Sequence, residues 1–219
     1  MKERPVLFSG AMVRAILEGR KTQTRRVMKH QPPAEACDVF TFHHPDPRTH
    51  YWGFDGWSLL DWCQPCPYGE IGHRLYVRET WQHSNHPFGP YESDCLVFYR
   101  ADYLDDPLGA DLERSPDGIR RQWRPSIHMP RAASRITLEI TGVRVERLQS
   151  ISESDARTEG VTIEEHHMRG YCAGAYRPPS IRAFHDLWDS LNVARGHGWD
   201  MNPWVWVIEF RRIDGPEKR

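Results

Sequence analysis

The stretch Ser9-Gly10-Ala11-Met12-Val13-Arg14-Ala15-Ile16-Leu17-Glu18-Gly19-Arg20-Lys21-Thr22-Gln23-Thr24-Arg25-Arg26 lays out a helix, its stop and a cationic segment in one run. Ser9 offers a side-chain oxygen to the orphan amides of a first turn, so it reads as an N-cap. Met12, Val13, Ile16 and Leu17 recur at helical spacing and form one apolar stripe. Gly19 stands where a left-handed residue closes a helix. Lys21 and Thr24 therefore open a loop or the next strand. Three residues apart in a turn, an ammonium and a hydroxyl can reach one another, which is the geometry a base and its nucleophile need. Cations just past a helix end also complement its dipole, and that structural role accounts for the same residues.

Reading outward, Arg74 to Trp81 alternates as a strand with Leu75 and Val77 on one face, and Cys95 to Arg100 reads as another. Ile136 to Leu148 reads as a long strand whose apolar positions change phase at Thr141-Gly142, from Ile136, Leu138 and Ile140 to Val143 and Val145, as a β-bulge would make them do. Ser152-Glu153-Ser154-Asp155 opens a short helix that Gly160 can close, with Glu159 near its end. A further helix is capped by Ser180 and carries Phe184, Leu187, Trp188 and Leu191 as a core stripe. Trp204 to Arg211 alternates as a strand buried on at least one face. Residues 30–68, rich in Pro, Trp, His and Gly, and residues 101–125 read as irregular insertions. Mixed strands with a few short helices indicate an α+β domain spanning residues 1–213, followed by a flexible tail at 214–219.

The 219 residues suffice for a sizeable core, and the formal net charge of -1 excludes a general polyanion-coating protein. Lys2, Lys21, Lys29 and Lys218 are the lysines among 29 basic residues, so the positive charge is carried mostly by arginine, whose planar fork suits phosphate and base faces. Cys37, Cys63, Cys66, Cys95 and Cys172 are scattered and odd in number, a pattern of reduced thiols. No apolar run approaches the ~20 residues of a membrane span, and no secretion signal follows Met1-Lys2-Glu3-Arg4-Pro5. A soluble cytoplasmic protein without membrane partners is expected.

Gly-x-Lys-x-x-Thr-x-Arg after a short amphipathic helix resembles the signature of ASCH domains, a branch of the PUA-like superfamily of small β-barrels. Cys66-Pro67-Tyr68-Gly69, Arg74 to Trp81, Ser126 to Arg131 and Asn202 to Phe210 resemble the longer ASCH proteins of phages and prophages, so the similarity runs from about residue 5 to 212. The chain departs from them at His73, where an acidic residue is usual. The resemblance implies a PUA-like β-barrel with flanking helices. Small bacterial ASCH enzymes that hydrolyse N4-acetylcytidine carry Gly-Arg-Lys-Thr-x-Thr-x-Arg and use a Thr-Lys-Glu triad. Lys21 and Thr24 match that motif, and Glu159 occupies the place of the acid. The resemblance therefore implies an amidohydrolase that removes the acyl group from N4-acylated cytosine nucleosides, without a cofactor. Thr24 would be the nucleophile, Lys21 its base and Glu159 the acid, with Arg25, Arg26, Glu79 and Trp81 around the substrate; Glu79 is a rival acid.

A second reading is a module that binds or processes RNA or single-stranded nucleic acid, as some ASCH relatives do. From Arg120 to Arg135 the chain holds six basic residues and no carboxylate, and Arg121, Trp123, Arg124 and Arg131 supply the interleaving of charge and aromatic faces such binding uses. A solvated loop paired with acids elsewhere fits the stretch equally. Cys37, His43, His44, Cys63 and Cys66 could close the first insertion around a zinc ion, although their spacing is irregular.

Overall fold

The computed structural model describes residues 2–32, 36, 39–43, 50–54, 64–86, 88–105, 123–168 and 177–213. The chain packs as two compact units, one of Met1–Gly19, Arg74–Glu139 and Arg212–Arg219, the other of Arg20–His73 and Ile140–Arg211. The expected tail at 214–219 lies outside the described residues.

In the first unit, β1 (Glu3–Leu7) lies parallel to β6 (Arg74–Arg78), with Glu3 opposite Arg74 and Leu7 opposite Arg78. The opening residues of β9 (Thr137–Arg147) run antiparallel to β6, with Leu75 opposite Leu138. Val6, Leu75, Val77 and Leu138 are buried, as the alternation of Arg74 to Arg78 requires. Helix α1 (Gly10–Leu17) begins where Ser9 accepts from the Met12 amide, and Gly19 takes φ +74° just beyond its end. Arg14 ties the helix to the 3-10 turn Arg100–Tyr103 through the Ala101 carbonyl, 3.0 Å away. A two-stranded ribbon of β7 (Trp81–His83) and β8 (Val97–Tyr99) encloses a small cluster of Trp81, Met129 and Ala133.

In the second unit, β2 (Gln23–Val27) pairs antiparallel with β10 (Trp204–Ile213), Arg25 opposite Val207 and Thr24 opposite Ile208. Trp204 through Ile208 are all buried, so this strand is covered on both faces. Val205 and Val207 meet Leu148, Ile151, Ala156, Phe184, Trp188 and Trp199, the core packed beneath α2 (Glu153–Thr158) and α4 (Pro179–Asn192). Ser152 caps α2 through the Asp155 amide, and Gly160 takes φ +77° after it. A short helix α3 (Glu165–Met168) contacts α4.

Strand order β1-β6-β9-β10-β2 makes one open, mixed five-stranded sheet. The α+β class holds, but the sheet is not the closed barrel the family resemblance implied: β1 and β2 are its two edges in that order. Three further points differ from the sequence reading. Residues 30–68 are not wholly irregular: β3 (Val39–His43), β4 (His50–Phe54) and β5 (Gln64–Pro65) pair as an antiparallel sheet. Helix α4 starts with Pro179 at its first position, so Ser180 is a buried inner residue rather than the cap, and Leu191 is exposed while Ser180, Ala183, Phe184 and Trp188 face the core. Strand β9 continues unbroken through Thr141-Gly142, and deep burial simply ends at Ile140. A Cβ on Gly142 would stand 2.7 Å from the Glu209 Oε2, so the missing side chain makes room for that carboxylate.

Among the described residues no helix is long and apolar enough to cross a membrane.

Candidate functional site

Alternation along β2 decides where its cationic side chains go. Gln23 and Arg25 leave one face, toward α2; Thr24 and Arg26 leave the other, beside Ile208 and Trp206. Just before the strand, Lys21 forms an isolated antiparallel bridge with Glu159, the C-cap of α2. The Thr22 backbone fastens this join, donating to Thr158 O at 2.9 Å and accepting from Phe210 N at 2.8 Å.

The bridge brings two charged side chains into the interior. Lys21 Nζ donates to Glu159 Oε2 at 2.9 Å and to the Glu159 carbonyl at 2.8 Å. The Lys21 side chain has 0% of its surface exposed and that of Glu159 has 4%. Burial pushes the Lys21 ammonium below its usual value; the Glu159 carboxylate opposes this, and Arg26 and Arg25 add to it.

Glu159 is shared. Arg25 donates to its Oε1 at 3.2 Å and reaches Glu146 Oε2 at 3.0 Å and Asp155 Oδ2 at 3.2 Å with its other terminal nitrogen. The guanidinium is wholly enclosed and lies 5.9 Å from the Phe184 ring centroid. From β9, Arg144 pairs with Glu146, Asp155 and Glu209. Gln23 adds a bond to the Asp155 carbonyl at 2.9 Å. Burial raises the Asp155 carboxyl, but Arg25 and Arg144 outweigh it and hold the group below the ordinary carboxylate range.

Lys21 and Glu159, proposed as base and acid from the sequence, are thus brought into direct contact. Thr24 is buried at 4% exposure, on the face of β2 opposite Arg25. Arg26 is half-buried on that same face, and Tyr68 is among the groups acting on its charge. Arg25 does not stand free for substrate: both terminal nitrogens serve protein carboxylates. Glu146, Asp155, Arg144 and Glu209 were not foreseen. The period-two spacing of Gly142, Arg144 and Glu146 was the available signal, since it puts all three on one face of β9.

The remaining candidates lie in the first unit. Glu79 is buried and bound on both oxygens by Arg135, at 3.0 and 3.1 Å, which also holds Asp102. Burial raises the Glu79 carboxyl and Arg135 only partly offsets it. Trp81, named among the residues around the substrate, is 1% exposed and packs edge-on against Tyr91, with Arg124 over its ring at 5.2 Å. Arg124 also bonds His83 Nε2 at 2.7 Å. Arg131 grips both oxygens of Glu3, and the Arg100 guanidinium lies 5.8 Å from the Trp123 ring. The described arginines of the basic stretch therefore have internal partners, and Arg121 lies outside the described residues.

Of the zinc candidates, Cys37, His44 and Cys63 lie outside the described residues, and Cys66 is buried and not part of a disulfide. Among the described residues no group of three or more His, Cys, Asp or Glu side chains is placed to hold a metal. His73 turns inward, its Nδ1 accepting from Glu70 N at 3.2 Å to close the turn before β6.

Compared with known proteins, the chain matches no family model, no curated protein and no solved structure.

Proposed function

We propose that this chain is an ASCH-type, PUA-like amidohydrolase of the cytoplasm that removes the acyl group from N4-acylated cytosine nucleosides. The observation that carries the reading is the enclosed Lys21–Glu159 pair: burial lowers the proton affinity of the lysine, the direction a general base requires.

In the proposed cycle, the Thr24 hydroxyl attacks the acyl carbonyl and its proton passes to neutral Lys21 Nζ. The tetrahedral intermediate collapses with cleavage of the carbon–N4 bond, and N4 takes the proton from Lys21 as it leaves. Water then attacks the Thr24 ester, again giving a proton to Lys21, which returns it to Thr24 as the carboxylic acid departs. One water is consumed, and the products are the amine and the acid. Glu159 holds the lysine through both proton transfers. Arg26, on the Thr24 face, binds the substrate carbonyl or phosphate.

The test is incubation of the full chain with N4-acetylcytidine, its deoxy analogue and the free base, following loss of the acetyl group by chromatography. Turnover that disappears in Lys21→Ala is the expected result. Absence of turnover across the panel removes the reading and leaves nucleic-acid binding or processing, for which the internally paired arginines give less support.

A further inference from the structure

Arg25 presents a feature the hydrolase reading leaves unused. It is enclosed and central, and its terminal nitrogens serve carboxylates from two elements: Glu159 and Asp155 at α2 and Glu146 on β9. Its Nε has no partner among the described residues, so the guanidinium is held by its tip alone.

The two oxygens of Glu159 are divided between two cations. Oε1 takes Arg25 and Oε2 takes Lys21. A carboxylate locked by a guanidinium on one oxygen cannot swing to offer both to the ammonium, and part of its charge answers a cation that never deprotonates. Of the two cations, only lysine can give up a proton.

We propose that Arg25 is a positioning residue that shares the Glu159 carboxylate with Lys21 and so makes Lys21 release its proton more readily than it would beside an unshared acid. The inference rests on Lys21 as the base, but it concerns the proton on Nζ and needs no substrate. Glu146 and Asp155 are part of the device: they draw the Arg25 charge away from Lys21, with Arg144 in turn balancing both and Glu209 balancing Arg144. Among the charged groups acting on Lys21 are Glu159, Arg26 and Arg25. Glu146 accepts from Arg25 at 3.0 Å, so a change at Glu146 acts on the guanidinium that shares Glu159 with Lys21.

The experiment is an NMR titration of the whole protein with isotope-labelled lysine, tracking the Lys21 side-chain carbon next to Nζ. Four lysines keep the spectrum assignable, with Lys21→Met identifying the signal. Arg25→Gln is expected to raise the Lys21 proton affinity about tenfold. Glu146→Gln, which keeps the shape of a side chain that is 24% exposed, is expected to lower it about threefold as Arg25 turns its charge onto Glu159. An unmoved or lowered midpoint in Arg25→Gln overturns the proposal. Should that variant not fold, an unmoved or raised midpoint in Glu146→Gln overturns it instead. Absence of acyl hydrolysis leaves both titrations readable, so failure of the enzymatic reading and failure of this one are distinguished.

Discussion

Replacing Glu159 by glutamine keeps the shape of the side chain and removes the charge that two enclosed cations share. Removing one partner of a buried ion pair costs about 3–5 kcal/mol. Three features place this case at the low end. Arg25 keeps Glu146 and Asp155 at 3.0 and 3.2 Å, the glutamine oxygen still accepts from Lys21, and Lys21 can discard its proton. At about 3 kcal/mol, and 2–4 °C per kcal/mol for a chain of this size, the melting temperature falls by about 6–12 °C near pH 7. The pH dependence is the sharper signature. Lys21 already has a folded-state pKa below its unfolded one, so between those values the unfolded chain binds more protons and stability rises with pH. Without Glu159 the folded value drops further, the rise starts at lower pH and is larger. The penalty of Glu159→Gln must therefore shrink as pH climbs from about 6 to about 10. Thermal melts of wild type and variant across that range measure it, with Lys21→Met in both backgrounds removing the trend. A penalty that stays constant over the range refutes the placement of a readily discharged lysine against this acid.

Thr24→Ala is expected to abolish acyl turnover while lowering stability by no more than about 1 kcal/mol, checked by melting beside the activity assay; full turnover contradicts the nucleophile assignment. Leu138→Ala, at a fully buried position of β9, is expected to cost about 3 kcal/mol in denaturant unfolding. Asp155 has a folded pKa below its unfolded one, so its contribution is present above about pH 4 and is lost as pH falls through the folded value; Asp155→Asn should flatten that acid limb in a stability-versus-pH series. Glu79 runs the other way. Its folded pKa is raised, so stability falls as pH rises from about 4 through that value, and Glu79→Gln should erase the fall.

Local rules carried well where one residue sets one hydrogen bond. Ser9 and Ser152 cap as their positions demand, Gly19 and Gly160 take positive φ, and Leu75 and Val77 are buried together. Ser180 failed as a cap because Pro179 has its φ preset for a first helical position and leaves no amide there to satisfy. In residues 30–68 the density of Pro, Gly and His outweighed the β-branched and aromatic run Val39-Phe40-Thr41-Phe42, which forms β3. At the site, Lys21 and Glu159 were named from a motif resemblance, and the backbone bridge that joins them spans 138 positions of sequence. Nothing local announces such a pairing. The carboxylate partners of Arg25 were hidden for a related reason: they come from other elements, Glu146 on β9 and Asp155 and Glu159 at α2.

Lysine is scarce in this chain, and the one that matters is sealed. Lys2 and Lys29 are exposed, whereas Lys21 has no side-chain surface in contact with solvent. An amine-directed reagent applied under native conditions will consume the exposed amines at once and reach Lys21 only during excursions that part β2 from the end of α2. The slow acylation of that single amine is thus a clock for those excursions, readable by peptide mass spectrometry, and any small molecule that settles on the site will slow it.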